Sequence, residues 1–297
     1  CETASGMLNS IGLQNPGVEY FAEKDLPFLR QFDTKVIVNA CGSTIEDYVE
    51  LCRILNKLDI DGVELNLSCP NVKAGCLAFG TSYEGVKEVT SQVRKVLTDK
   101  PLIVKLTPNV TDITEMAKAA EAAGSDALSL INTITGMKID IHKRAFALAN
   151  KTGGLSGPAI KPVAVRMVYQ VANAVKLPVI GMGGIANAED AIEFMMAGAT
   201  MVSVGTANFH DPYTTVKIIG GMEKFMKEKG IEDAVMAVNA VNARYGRTVY
   251  TLDIYGCVDP GQQEWFTDLS SNFSQEIRYC GIVPYDKSVE THSWFTG

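Results

Sequence analysis

Six short apolar runs recur along the chain, each with a polar residue or a glycine at or next to its last position and each followed by residues at helical spacing. They cover 35–40, 62–67, 102–106, 127–132, 179–183 and 201–205. A continuous apolar run is the signature of a parallel strand buried on both faces. Alternation of such runs with helical patterns predicts βαβ units. Helices are predicted over Thr44–Lys57, Ser82–Leu97, Thr111–Ala123, Ile160–Val175 and Asn187–Ala197. Thr44 and Thr111-Asp112 supply start signals, and Gly124 and Gly198 supply stops. The side chains at the strands' carboxyl ends then share one face: Asn39, Asn66, Cys69, Lys105, Asn132, Gly183, Gly184 and Gly205.

The fold class this predicts is α/β with six βα units, either an open sheet or a TIM (β/α)8 barrel in incomplete form, plus a small α/β segment at the C-terminus. A closed barrel of eight takes ~250 residues. Nothing before Val36 reads as two more units, so either the sheet is open or the first two units lie upstream of Cys1. Residues 1–34 read as loop-rich, with a short helical stretch near 24–32. Thr133–Pro158 carries Gly136, Gly153, Gly154 and Gly157 with little periodicity, and a connection that long is usually functional. Met195 and Met196 read as core.

The character of the chain shifts near residue 230. Both tryptophans and a dense set of aromatics lie beyond residue 233. The domain division this predicts is 1–233 for the barrel and 234–297 for an unrelated α/β segment. In that tail a helix is expected over Asp233–Arg244, a strand over 247–255, a helix near Gly261–Phe273 and a strand near 276–283.

Composition narrows the function classes. Net charge is −7 over 297 residues, without a run of five basic residues, which argues against nucleic acid or an anionic membrane as partner. No apolar stretch reaches the ~18 residues of a membrane span. The chain opens on Cys1-Glu2 with no signal peptide, as a truncated or excised sequence does. Seven cysteines at irregular spacing form neither a disulfide framework nor a metal pattern and predict reduced thiols in the cytoplasm; no metal site is expected.

The strongest chemical signal is the pair of strand ends Gly183-Gly184 and Gly205-Thr206. Glycines there let backbone N–H groups approach a phosphate, and loops after the last two strands of such barrels form phosphate sites. Turn glycines required only for positive φ would look alike; two in register at successive strand ends favour phosphate. It belongs either to a flavin mononucleotide or to a phosphorylated substrate. Cys69 lies in Asn66-Leu-Ser-Cys-Pro-Asn71, just past a strand, where a thiol is either inert or a general base with a tuned pKa. Lys105 is the lone charge in an apolar strand, which points to an anionic partner rather than to a wet sheet edge. The amides of Asn39, Asn66 and Asn132 could read a planar polar ring from several sides.

Four segments together resemble class 1 dihydroorotate dehydrogenases, the bacterial 1B catalytic subunits above all. They are residues 2–17, Glu64–Val72, Ile131–Met137 and Gly153–Pro162. The resemblance runs from residue 2 to about 233. It implies a (β/α)8 barrel carrying FMN, oxidation of dihydroorotate to orotate in pyrimidine (UMP) biosynthesis, and Cys69 as the base that removes a proton from C5. It implies that Asn9, Ser10, Ile11, Gly12, Leu13, Asn66, Asn132 and Thr133 hold the substrate. It implies FMN contacts from Asn39, Asn66, Lys105, Ile131, Gly157, Gly183, Gly184, Gly205 and Thr206. A homodimer and an electron-transfer subunit with an iron–sulfur cluster and FAD are the partners it implies. Members of that family carry two βα units ahead of the position matching Cys1, with a serine and a lysine near the flavin. Segments 243–256 and 280–290 resemble part of a GT-B glycosyltransferase. Two alternatives to a working dehydrogenase follow: a barrel remnant without turnover, and a glycosyltransferase fragment.

Overall fold

A computed structural model of the chain describes residues 1–67, 79–226, 230–246, 248, 251–255 and 263–281. It divides into two compact units, Cys1–Gly221 and Met222–Gly297. The first unit is built on a parallel sheet of six strands: β1 (Ile37–Ala40), β2 (Gly62–Asn66), β3 (Leu102–Lys105), β4 (Ala127–Leu130), β5 (Val179–Met182) and β6 (Met201–Ser203). Strands adjacent in the chain are adjacent in the sheet, the order that successive crossovers of one hand produce in a barrel. Among the described residues β1 pairs only with β2 and β6 only with β5, so the sheet is an incomplete α/β barrel, open between its first and last strands.

The helices between strands begin where the sequence signals them. Thr44 caps α1 (Ile45–Leu55) in a reciprocal box with Asp47. The Asp47 carboxyl lies below its usual range because the Ser43 and Thr44 N–H groups donate to it. Ser82, Asp112 and Asn187 cap α2 (Tyr83–Arg94), α3 (Ile113–Ala122) and α5 (Ala188–Met196), while α4 (Lys161–Ala172) opens with a proline in its first turn.

Register sorts the strand side chains into two faces. Partners across a parallel ladder share a face, and faces alternate along each strand. Asn39 pairs with Glu64, Asn66 with Lys105, and Lys105 with Ser129. Those residues therefore lie on one face, the inner one. Val63, Leu65, Leu102, Val104, Leu128, Leu130 and Val179 occupy the other, buried under the helices.

The glycine-rich connection over 133–158, whose sequence shows little periodicity, contains regular strands. Ile134–Met137 and Thr152–Ser156 pair antiparallel, and Gly6–Asn9 and Glu2–Thr3 extend them into a four-stranded sheet. The glycines are there for close packing: a Cβ on Gly154 would meet the Thr133 hydroxyl at 2.1 Å. That requirement erases the apolar alternation by which a strand is recognised. The short helical stretch expected near 24–32 is present but starts earlier, running from Val18 to Leu29. Met195 and Met196 are exposed rather than core; they close α5 beyond its buried face, which ends with Phe194.

In the second unit, the helix Ile231–Tyr245 is followed by the strand Leu252–Tyr255, the helix Gln263–Ser271 and the strand Ile277–Gly281. The two strands pair in parallel. Val235, Ile254, Leu269 and Ile277 form their core, with Trp265 and Phe266 packed against it. Among the described residues, no helix is long and apolar enough to cross a membrane.

Candidate functional site

A cavity of about 450 Å³ opens at the carboxyl ends of the strands, within the ~300–1,000 Å³ usual for small-molecule sites. Lys105, Ile131, Asn132 and Thr133 contribute to its lining. Gly157, Gly183, Gly184, Gly205 and Thr206 line it as well. The expected cofactor set thus converges on one cavity, apart from Asn39 and Asn66.

The glycine side is a backbone cradle. Gly183 and Gly184 both have positive φ, and a Cβ on Gly184 would come within 2.9 Å of the Gly157 carbonyl oxygen. A Cβ on Gly205 would meet nothing within 4 Å, so the cavity is open on that flank. Thr206 donates its hydroxyl to Ser156 at 2.9 Å. Two further side chains hold the Gly183–Ala186 loop. Asp190 accepts from the Ala186 N–H at 2.9 Å and from the Lys161 ammonium at 2.6 Å. The Asp190 and Glu193 carboxylates together raise the Lys161 pKa.

Asn39 and Asn66 lie on the inner face in a chain of side-chain hydrogen bonds. Asn132 donates to Asn66 at 3.2 Å and Asn66 to Asn39 at 3.3 Å. Asn39 in turn donates to Glu64 at 2.5 Å. Glu64 also accepts from Ser129 at 2.7 Å and pairs with Lys105 at 3.3 Å. Side-chain exposures of 14% for Glu64 and 19% for Lys105 make this a largely dry ion pair. Barrel interiors are ordinarily filled by branched apolar layers; here a polar layer that includes the cavity residue Lys105 runs across four adjacent strands.

The segment Asn9–Leu13 stands apart from the cavity lining. Asn9 ends the strand paired with Gly154, Ser10 accepts from Asn150 through its carbonyl, and Ile11 and Leu13 are exposed. Cys69, with Ser68, Pro70 and Asn71, lies outside the described residues, as does Cys76. Sequence reasoning misses Glu64, Ser129, Ser156, Lys161 and Asp190. For Glu64 a signal exists: it is a lone charge between Val63 and Leu65, the same mark that singles out Lys105.

The sequence model of the dihydroorotate dehydrogenase family matches residues 1–226. A protein of Lachnoclostridium phytofermentans is 66% identical over 232 residues, 78% of this chain and 77% of that protein. One of Alkaliphilus oremlandii is 64% identical over 232 residues, 78% of this chain and 76% of that protein. One of Geotalea uraniireducens is 59% identical over 241 residues, 81% and 79% of the two. Each is named dihydroorotate dehydrogenase B (NAD(+)), catalytic subunit. The chain belongs to the dihydroorotate dehydrogenase family.

Proposed function

We propose that this chain oxidises dihydroorotate to orotate with FMN, in the cytoplasm, as a step of pyrimidine biosynthesis. The observation that carries the reading is the convergence of Lys105, Asn132 and the glycine cradle on one cavity, in a chain of this family. FMN fits the donors present. The backbone amides around Gly183, Gly184 and Gly205, with the Thr206 and Ser156 hydroxyls, suit a phosphate. Lys105 and the asparagine amides suit the polar edge of a flavin ring. Bound there, FMN supplies the acceptor for a hydride leaving C6 of the substrate.

The residues divide the remaining work. Cys69 takes the proton from C5, a role carried over from the family resemblance, so the substrate loses one proton and one hydride and becomes orotate. Asn66 and Asn132, with Thr133 and the segment Asn9–Leu13, hold the substrate's amide and carboxylate groups. Electrons then leave through a second subunit carrying an iron–sulfur cluster and FAD, and the chain works as a homodimer. The relatives' designation as catalytic subunits supports such a partner. The tail from about 234 is a separate α/β segment outside this chemistry, its sequence akin to part of a glycosyltransferase.

A second reading, a barrel remnant without turnover, is favoured by one observation. On the inner face Ile37 is 46% exposed and Met201 55%, at the two open edges of the sheet. One experiment separates the two. The purified chain, incubated with FMN and desalted, should keep a flavin absorption spectrum that anaerobic dihydroorotate bleaches. A colourless protein sinks both the cofactor and the activity; a yellow protein that dihydroorotate leaves unbleached is the remnant.

A further inference from the structure

Among the described residues the Glu64 carboxylate is held by Asn39 on β1, Lys105 on β3 and Ser129 on β4, all through side chains. A carboxylate in a largely dry strand interior is costly to desolvate, and a well-packed apolar side chain there is often as stable or more so. Stability therefore gives weak grounds for a glutamate at this position. Its three partners give better grounds. One is the cation that lines the cavity, and a second is the amide joined through Asn66 to the cavity residue Asn132. Ser129 is fully buried beside the pair and fixes the second carboxylate oxygen.

We infer that Glu64 is the positioning residue for Lys105: it draws the ammonium back toward the sheet and so limits the positive charge presented to a flavin in the cavity. The inference rests on the FMN reading above. Glu64 lies outside the cavity lining, so its effect passes through the lysine. The sign follows from charge. A reduced flavin that carries negative charge gains from a nearby cation, and freeing Lys105 from its carboxylate strengthens that interaction.

The test is the midpoint potential of FMN bound to the full chain. Glu64→Gln keeps the size and an acceptor oxygen for Lys105 while removing the charge. It should raise the potential, equivalent to an increase of about threefold or more in reduced over oxidised flavin at a fixed poise. Glu64→Asp keeps the charge but is one methylene too short to hold all three partners; it should shift the potential in the same direction. In a Lys105→Met background, Glu64→Gln should lose most of its effect. An equal shift with and without the lysine, or an unmoved potential in Glu64→Asp, would mean that the carboxylate acts on the flavin directly, and the positioning role is then wrong. Unmoved potentials in both single variants overturn it outright. If the unsubstituted chain takes up no FMN, the failure lies with the cofactor reading, and this inference goes with it.

Discussion

The two faces of the parallel sheet are made by alternate residues of the same six strands, yet they obey different rules. Toward the helices, Val63, Leu65, Leu102, Val104, Leu128 and Leu130 are shut off from solvent. Toward the inside, Asn39, Glu64, Lys105 and Ser129 form a hydrogen-bonded layer, flanked at the sheet edges by the exposed Ile37 and Met201. One face is selected for volume and the other for chemistry. The difference teaches that the apolar side of this sheet is closed along its length, while the inner side is exposed at the two edge strands.

The largest test of that division is Cys69→Ala, three residues past Asn66 in sequence. As a lost general base it should cost the dihydroorotate-driven bleaching rate ~10²–10⁴-fold while leaving the thermal midpoint in place. Unchanged bleaching would remove Cys69 from the mechanism and leave Cys76 as the candidate. Next is Leu65→Ala on the helix-facing side. Removing a fully buried leucine should cost about 2–5 kcal/mol in denaturant unfolding, and a loss below ~1 kcal/mol would show that this face is not the one holding the sheet together.

A pH effect probes the amino ends of β1 and β2, where neither face rule applies. Asp61 accepts from the Val36 N–H at 2.9 Å and pairs with Arg30 and Lys35. The Val36 N–H first, then the two cations, pull its pKa down to about 2. A depressed carboxyl stabilises the folded chain above its unfolded pKa of about 4 and loses that contribution as the pH falls through about 2. Acid titration of Asp61→Asn, followed by circular dichroism, should therefore show a shallower loss of stability across that window than the parent shows. The smallest effect is expected from Ile37→Thr on the inner face of β1, at most about 1 kcal/mol. A cost as large as that of Leu65→Ala would mean that the inner face is covered there, and the contrast between the faces would collapse.

The outer face is the part of the fold that is legible from sequence. Apolar runs ending in polar residues locate all six strands, and Thr44, Ser82 and Asn187 mark helix starts within a residue. The antiparallel sheet over the strand ends is not legible in the same way. Gly153 and Gly154 sit where another backbone or a threonine hydroxyl leaves no room for a Cβ, so a packing constraint between distant segments reads locally as a loop. At the site, strand-end position finds Lys105, Asn132 and the glycine cradle. Asp190 escapes because its role depends on reaching the Ala186 N–H and Lys161 across a turn, which no spacing rule encodes. Glu64 was within reach of the reasoning that picks Lys105; it stands inside a motif whose weight falls on the residues after it.

The antiparallel sheet joins parts of the chain that are far apart: Met7 pairs with Ser156 and Leu8 with Leu155. In the parallel sheet, neighbouring strands are successive in the chain, β4 and β5 with the antiparallel segment between them. Loop closure favours the nearer pairings, so the layer joining residues 6–9 to 152–156 is expected to close late. Contacts made last, on few buried side chains, are also the first to open in local unfolding. Amide exchange should then be faster at Leu8 and Leu155 than at Leu65 and Val104, and the strands bearing Asn9 and Gly154 would come and go while the floor of the cavity stays folded.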